Sequence, residues 1–265
     1  MQTMIVSDLD GTLLDAEHKV DAFTAATFQA LAQQGIQIAI ATGRHFLDVQ
    51  GIRETLGVSA HLITSNGARV HDPDNNEIFA ENVEPSLARQ LLQAEISAGT
   101  LLNIYVDDGW LVERDCPELV GVYYKDSGFS YQVNDLKNHH GEGIAKILYI
   151  ADHATLCELE AKIIERFGDA IYITFSADDC LEVMAPTVSK GHALSEVLGR
   201  LRIDAEHCYA FGDGQNDIQL LAVAGNAYVM GNASPKLKAA HPQATVIGHN
   251  SANGVAHHLR HIFTI

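Results

Sequence analysis

Short apolar runs, each ending in small or polar turn residues, punctuate the first part of the chain. Met4-Ile5-Val6 gives way to Ser7-Asp8, Ile36-Gln37-Ile38-Ala39-Ile40-Ala41 to Thr42-Gly43, and His61-Leu62-Ile63-Thr64 to Ser65-Asn66-Gly67. Runs that are apolar at consecutive positions read as strands buried on both faces of a parallel sheet. Between the first two, Phe23, Ala26, Thr27, Ala30 and Leu31 recur at helical spacing and Gly35 supplies a stop. That segment predicts a crossover helix joining parallel strands. The acidic turn Asp72-Pro73-Asp74-Asn75-Asn76 separates Ala68-Arg69-Val70 from Ile78-Phe79-Ala80 and predicts a hairpin.

From about residue 83 the texture changes. The pattern predicts a helix over 86–98, an extended stretch over 101–106 and a turn at Asp107-Asp108-Gly109. Residues 115–143 carry no clear pattern; a strand (146–150), a helix (156–167) and two strands (171–175 and 180–184) follow. Strand-helix-strand-strand order suits an α+β unit with its own small sheet. After Pro186 the first rhythm returns, with Cys208-Tyr209-Ala210-Phe211 ending at Gly212-Asp213, then Ala227-Tyr228-Val229-Met230 and Thr245-Val246-Ile247. The expected fold is α/β: a Rossmann-like parallel-sheet core built from residues 1–82 and 185–265, interrupted by an inserted α+β domain of residues 83–184.

Composition narrows the partners. The 265 residues are 47% hydrophobic and 19% charged, as in ordinary globular proteins. Lys+Arg of 17 against Asp+Glu of 34 gives a net charge of −17, which repels nucleic-acid phosphates and anionic lipid. The chain shows neither a basic leader with an apolar stretch nor a long apolar run, so a cytoplasmic protein with no nucleic-acid or membrane partner is expected. Cys116, Cys157, Cys180 and Cys208 are scattered without a CxxC pair, which argues against a disulfide framework or a zinc knuckle. His257 and His261 share a helix face, yet no acidic or Cys partner lies nearby in sequence, and they read as a solvated helix end.

In an open parallel sheet, ligands bind beyond the carboxyl ends of the strands. Those ends carry Asp8-Leu9-Asp10-Gly11-Thr12-Leu13, Thr42-Gly43-Arg44, Asn66-Gly67 and Gly212-Asp213-Gly214-Gln215-Asn216-Asp217. Asp8, Asp10, Asp213 and Asp217 are thereby predicted to meet at one edge, where their mutual repulsion calls for a raised pKa or for a hard divalent cation, Mg²⁺ being the natural one. Thr42 offers a hydroxyl, Gly43 an open N–H and Lys190, at the start of a helix, a point charge, which together make a phosphoryl clamp. An aspartate forms an acyl phosphate that hydrolyses readily, and a second carboxyl two residues on can move the protons. A dinucleotide site is disfavoured because the first strand ends in Asp-x-Asp rather than Gly-x-Gly. Glu182 and Asp107-Asp108, in the inserted domain, read as surface or hinge positions.

Taken in order, Asp8 to Leu13, Thr42-Gly43-Arg44, Lys190-Gly191 and Gly212-Asp213-Gly214-x-Asn216-Asp217 resemble the four motifs of the haloacid dehalogenase (HAD) phosphatase superfamily. The position of the insertion, with segments such as Ile63 to Ala68 and Met230-Gly231-Asn232-Ala233, is similar to the Cof-type members with a type IIB cap. Among these the chain looks most like bacterial pyridoxal-phosphate and hydroxymethylpyrimidine-pyrophosphate phosphatases. Asn253 departs from the pattern, standing where an acidic residue usually precedes Gly-Val.

The resemblance implies Asp8 as nucleophile and Asp10 as general acid/base. It implies Mg²⁺ on Asp8, the Asp10 main-chain carbonyl and Asp213, with Asp217 supporting from behind. Leu9, Thr42, Gly43, Lys190 and Asn216 would hold the phosphoryl oxygens. The implied activity is Mg²⁺-dependent hydrolysis of small phosphorylated metabolites, such as pyridoxal phosphate or sugar phosphates, by a monomer or weak homodimer whose inserted domain closes as a cap. Hydrolysis of hydroxymethylpyrimidine pyrophosphate, a phosphotransferase and a phosphate sensor are the alternatives.

Overall fold

The computed structural model describes residues 2–119 and 128–265. Met1 and residues 120–127, the latter within the unpatterned stretch, lie outside the described residues. The chain divides into two compact units, Met1–Phe79 with Ser189–Ile265, and Ala80–Val188.

The discontinuous unit begins with β1 (Met4–Ser7), β2 (Gln37–Ala41) and β3 (Ala60–Thr64), followed by the short β4 (Arg69–His71) and β5 (Glu77–Ala80). In the inserted unit follow β6 (Leu101–Val106), β7 (Gly109–Val112), β8 (Tyr131–Val133), β9 (Lys146–Ile150), β10 (Tyr172–Ala177) and β11 (Cys180–Met184). The chain then returns through β12 (Cys208–Gly212), β13 (Asn226–Val229) and β14 (Thr245–Val246).

The first sheet runs β14-β13-β12-β1-β2-β3-β4-β5, parallel from β14 to β3, with β4 antiparallel to β3. From β1 the chain moves to β2 on one side, whereas β12 flanks it on the other. This reversal leaves a crevice at the carboxyl end of β1, between the turns that follow β1 and β12. Ile5, Val6, Ile38, Ile40, Leu62 and Phe211 are sealed in the core, as expected for strands covered on both faces. Asp21 caps the helix Ala22–Gln33 by accepting from Phe23 N at 2.7 Å, and Ser189 caps Lys190–Leu201 by accepting from His192 N at 3.0 Å.

The inserted unit has its own sheet, β10-β11-β9-β6-β7-β8, antiparallel except for the β7/β8 pair. Leu102, Ile104, Ile147, Tyr149, Leu181 and Val183 form one core with Ala88 and Leu91 of the helix Pro85–Leu91 and with Leu156, Leu159 and Ile163 of the helix His153–Phe167. The helix expected over 86–98 is two, Pro85–Leu91 and Ala94–Ser97. Gln93 between them is extended (φ −74°, ψ 150°), and its side-chain amide donates to the carbonyls of Arg89 and Lys137. Asp107 and Asp108 lie in the exposed turn between β6 and β7. Glu182 is not a surface or hinge residue: it is buried, 3% exposed, because Lys146 accompanies it as a counter-charge.

Candidate active site

β1 delivers Asp8 to the crevice and the sheet fixes it there, since its N–H donates to Phe211 O of β12 at 3.0 Å. The chain then makes a π-type turn over Leu9–Leu13, closed by Leu14 N donating to Leu9 O at 2.9 Å. Gly11 sits in this turn at φ +79°, and a β-carbon there would lie 2.4 Å from Asp213 Oδ2. Only glycine lets the turn approach the aspartate that follows β12. Leu9 buries its side chain in the core, so its main chain is what it can offer a ligand.

Lys190, the first residue of its helix, is fully buried and donates to Asp8 Oδ1 at 2.6 Å and to Asp217 Oδ1 at 2.7 Å. The other oxygen of Asp217 accepts from Asp213 N at 3.0 Å and Gly214 N at 2.9 Å. Asp217 is thus consumed in holding the lysine and the turn after β12. Asp213 Oδ1 accepts from the Thr12 hydroxyl at 2.7 Å. Among the described residues, Asp8 Oδ2 and Asp213 Oδ2 are the oxygens of these three carboxylates that accept from no lysine, hydroxyl or main-chain donor.

Asp8, Asp213 and Asp217 each present a carboxylate oxygen within 4.8 Å of the others'. Three carboxylates against one ammonium leave a deficit of two positive charges, the charge of one divalent cation. Burial, and then the Asp217 and Asp213 carboxylates, push Asp8 well above the ordinary carboxylate range against the pull of Lys190. Burial raises Asp213 as well, opposed by the Thr12 hydrogen bond. For Lys190 burial works toward neutrality, but Asp217 and Asp8 outweigh it and hold the ammonium charged. Hard oxygen donors carrying surplus negative charge fit a small divalent cation.

Asp10 does not join this cluster. Its carboxylate is gripped by Arg44, whose Nε donates to Oδ2 at 2.8 Å and Nη2 to Oδ1 at 2.6 Å, with His18 Nδ1 at 3.1 Å from Oδ1. Four carboxylates were expected at one edge; three meet, because a bidentate guanidinium pairs more strongly with the fourth than a crowd of like charges allows. Burial alone would raise Asp10, yet the hydrogen bonds and charge of Arg44, helped by His18, hold it below the usual range.

Thr42 follows β2 and is buried; its carbonyl accepts from Asn66 N at 3.0 Å and its hydroxyl oxygen from Arg44 N at 3.2 Å. Gly43 packs on Asn66, whose Oδ1 would lie 2.9 Å from a β-carbon there. Asn66 Oδ1 also accepts from Asn216 Nδ2 at 3.1 Å, tying the turn after β3 to the one after β12. Gly67, at φ +102°, has Ser189 O 2.3 Å from where its β-carbon would be, so the turn after β3 sits against the start of the lysine's helix. Asn253 Nδ2 donates to Asp21 Oδ1 at 3.2 Å, a contact outside the carboxylate cluster. Sequence reasoning gave no role to Arg44, His18, Thr12 or Asn66. Arg44 and Asn66 stand at strand ends beside assigned residues, whereas nothing in the sequence marks His18.

Residues 5–259 match the family model described as haloacid dehalogenase-like hydrolase. The HMP-PP phosphatase of Cronobacter sakazakii is 41% identical over 254 residues, covering 96% of this chain and 93% of that protein. TM0651 from Thermotoga maritima superposes with a TM-score of 0.86 at 27% identity, over 98% of this chain and 97% of its own. The subclass IIB sugar phosphatase BT4131 gives a TM-score of 0.86 at 20% identity over the whole of both chains, a likeness of fold.

Proposed function

Since the chain belongs to the haloacid dehalogenase-like hydrolase family, we propose that it works as a phosphatase on small phosphorylated metabolites, with Asp8 as the nucleophile. The observation that carries the reading is the placement of Asp8, buried at the end of β1 between an ammonium and two further carboxylates. Asp8 attacks phosphorus, the P–O bond to the organic alcohol breaks, and the alcohol leaves with a proton from Asp10. Water then attacks the acyl phosphate, giving its proton back to Asp10 and releasing inorganic phosphate and the free Asp8 carboxylate. Lys190, Thr42, the Gly43 and Leu9 main chains and Asn216 hold the phosphoryl oxygens, where charge develops during transfer.

Asp8, Asp213 and the Asp10 main-chain carbonyl are the groups that would hold Mg²⁺, with Asp217 behind them. When bound, the cation supplies charge neutralisation at the phosphoryl oxygens. Asp10, held as an anion by Arg44, is ready to act as the base of the second step. To act as the acid of the first, its carboxyl must exchange Arg44 for a proton.

For the substrate, the 41% identity to an HMP-PP phosphatase favours a phosphorylated hydroxymethylpyrimidine or a related ring compound over a sugar phosphate. Asp8→Asn abolishes turnover of p-nitrophenyl phosphate with the fold intact by circular dichroism, because an amide neither attacks phosphorus nor binds a cation as an anion. Asp10→Asn slows turnover by about 10²–10⁴-fold. A folded Asp8→Asn protein of near-normal activity would sink the mechanism.

A further inference from the structure

Asp8 and Asp10 belong to the turn after β1 and Asp213 to the turn after β12, so the groups proposed to hold Mg²⁺ come from two separate stretches of chain. The two turns press together closely enough that only glycine fits at position 11. Their carboxylates repel one another, and hydrogen bonds must keep the turns in contact. One tie is direct, from the Thr12 hydroxyl to Asp213 Oδ1 at 2.7 Å.

A second tie runs through a third stretch, residues 230–234, the turn after β13. Asn232 Nδ2 donates to Gly11 O at 2.7 Å, and two residues on Ser234 N donates to Asp213 O at 2.9 Å. One short segment thus grips both turns, each by a main-chain carbonyl. The segment is itself anchored: Met230 N donates to Gly212 O at 3.1 Å, Gly231 N to Gly248 O at 3.1 Å and Lys238 Nζ to Gly231 O at 2.8 Å. The Asn232 amide is oriented as well, since its Oδ1 accepts from Asn250 N at 3.1 Å and leaves Nδ2 to face Gly11. Asn250 Nδ2 in turn donates to Leu14 O at 3.0 Å, at the far end of the π-type turn. All of these residues belong to the discontinuous unit.

Stability alone does not call for this bracket. Asn232 is exposed, and water would satisfy the Gly11 carbonyl in its place at small cost. Water cannot, however, fix one turn relative to another. A cation bound by groups from two stretches of chain is held more tightly the less those stretches must be ordered on binding. We infer that Asn232 is a positioning residue for the cation seat: through Gly11 it holds the turn of Asp8 and Asp10 against Asp213, so that both sides are in place before the cation arrives. The inference rests on the phosphatase reading, in which Asp8, the Asp10 main-chain carbonyl and Asp213 share Mg²⁺.

Calorimetric titration with MgCl₂ tests it, beside urea midpoints measured in EDTA. Asn232→Ala binds Mg²⁺ about 10-fold or more weakly than wild type, as when a group supporting metal ligands is lost, while its midpoint in EDTA stays near that of wild type. Raising Mg²⁺ restores much of its turnover of p-nitrophenyl phosphate, which a misfolded variant would not regain. Asn232→Asp, equal in shape and keeping the acceptor for Asn250 N, sets an oxygen against Gly11 O. It too binds Mg²⁺ more weakly, although added negative charge alone would tighten the site. The inference is overturned if Asn232→Ala keeps the wild-type affinity, or loses stability in EDTA with no change in affinity, or if Asn232→Asp binds more tightly than wild type. Wild-type protein that takes up no Mg²⁺ would instead sink the metal-dependent phosphatase reading, and the role of Asn232 with it.

Discussion

Among the described residues two lysines are buried, one in each unit, and they are matched by carboxylate in different proportion. Lys190 faces Asp8 and Asp217, with Asp213 beside them, so its surroundings keep a surplus of negative charge. Lys146 pairs with Glu182 one to one among aromatic rings. An excess of buried carboxylate is relieved by taking up a proton or a further cation, and so suits a place where a charged ligand binds. A balanced pair needs no ion and presents a fixed donor and acceptor. The same residue type thus sits in a surplus of negative charge in one unit and in a balanced pair in the other.

The largest effect expected comes from removing each lysine in turn. Lys190→Met lowers phosphatase turnover by about 10²–10³-fold, through loss of a preorganised charge at the phosphoryl group. Either Lys190→Met or Lys146→Met costs about 3–5 kcal/mol of stability, because each strands buried carboxylate. The two sites part when the partner is removed as well. Lys146→Met/Glu182→Leu returns to wild-type stability or above. Lys190→Met/Asp217→Leu stays inactive and unstable, because Asp217 also accepts from the Asp213 and Gly214 N–H groups. Urea midpoints and turnover of acetyl phosphate check both, and recovery of activity in the Lys190 double variant would erase the contrast.

A divalent cation should tell the two regions apart next. Mg²⁺ raises the Tm of the wild-type protein, by about 2.7 kcal/mol of stability at one hundred times its Kd. Asp213→Asn abolishes the rise, and Lys146→Met/Glu182→Leu keeps it. Chelation stops turnover, Mg²⁺ restores it, and Ca²⁺ restores it poorly, because its larger and looser shell misplaces Asp8 against phosphorus. Calorimetric titration of each variant gives the binding constants. An Asp213→Asn protein that binds Mg²⁺ as tightly as wild type would remove the cation from this cluster.

In the cluster around Lys190, Asp8 and Asp213 were legible in sequence because they sit immediately after apolar strands and Asp217 because it follows in the same turn, whereas Lys190 was read from its place at the start of a helix. The Lys146–Glu182 pair was not legible. Glu182 and Lys146 lie within strands, and their meeting depends on the β9/β11 register and on which face each strand turns inward. Arg44 escaped for a different reason: a Thr-Gly-Arg run after a strand says nothing of where a long guanidinium reaches, and only the fold brings it to Asp10. The strand boundaries of the parallel sheet followed from consecutive apolar runs. The break at Gln93 did not, since helical spacing runs straight through it and the interruption is fixed by a contact with Lys137, distant in sequence.

The smallest effect concerns a buried base that forms no ion pair with a carboxylate among the described residues, the third case beside the two lysines. His61 on β3 is 6% exposed, and among the described residues its Nδ1 has no hydrogen-bond partner. Burial lowers its pKa below the ordinary 6.5, while Asp72 pulls weakly the other way. Where Lys190 keeps its charge because counter-charges are in contact, His61 gives its charge up. Above about pH 6.5 the imidazole is neutral in both folded and unfolded chains and has no effect on stability. As pH falls through 6.5 the unfolded chain takes up the proton first, so stability declines with falling pH until the folded-state value is passed. One proton limits that slope to about 1.4 kcal/mol per pH unit. Urea midpoints between pH 7.5 and 5.5 should therefore fall less steeply in His61→Leu than in the wild-type protein. Some slope will remain in the variant, since burial also lowers His258. Identical slopes in the two proteins would mean that His61 finds a proton acceptor when charged, and the distinction between matched and unmatched buried bases would not hold at this position.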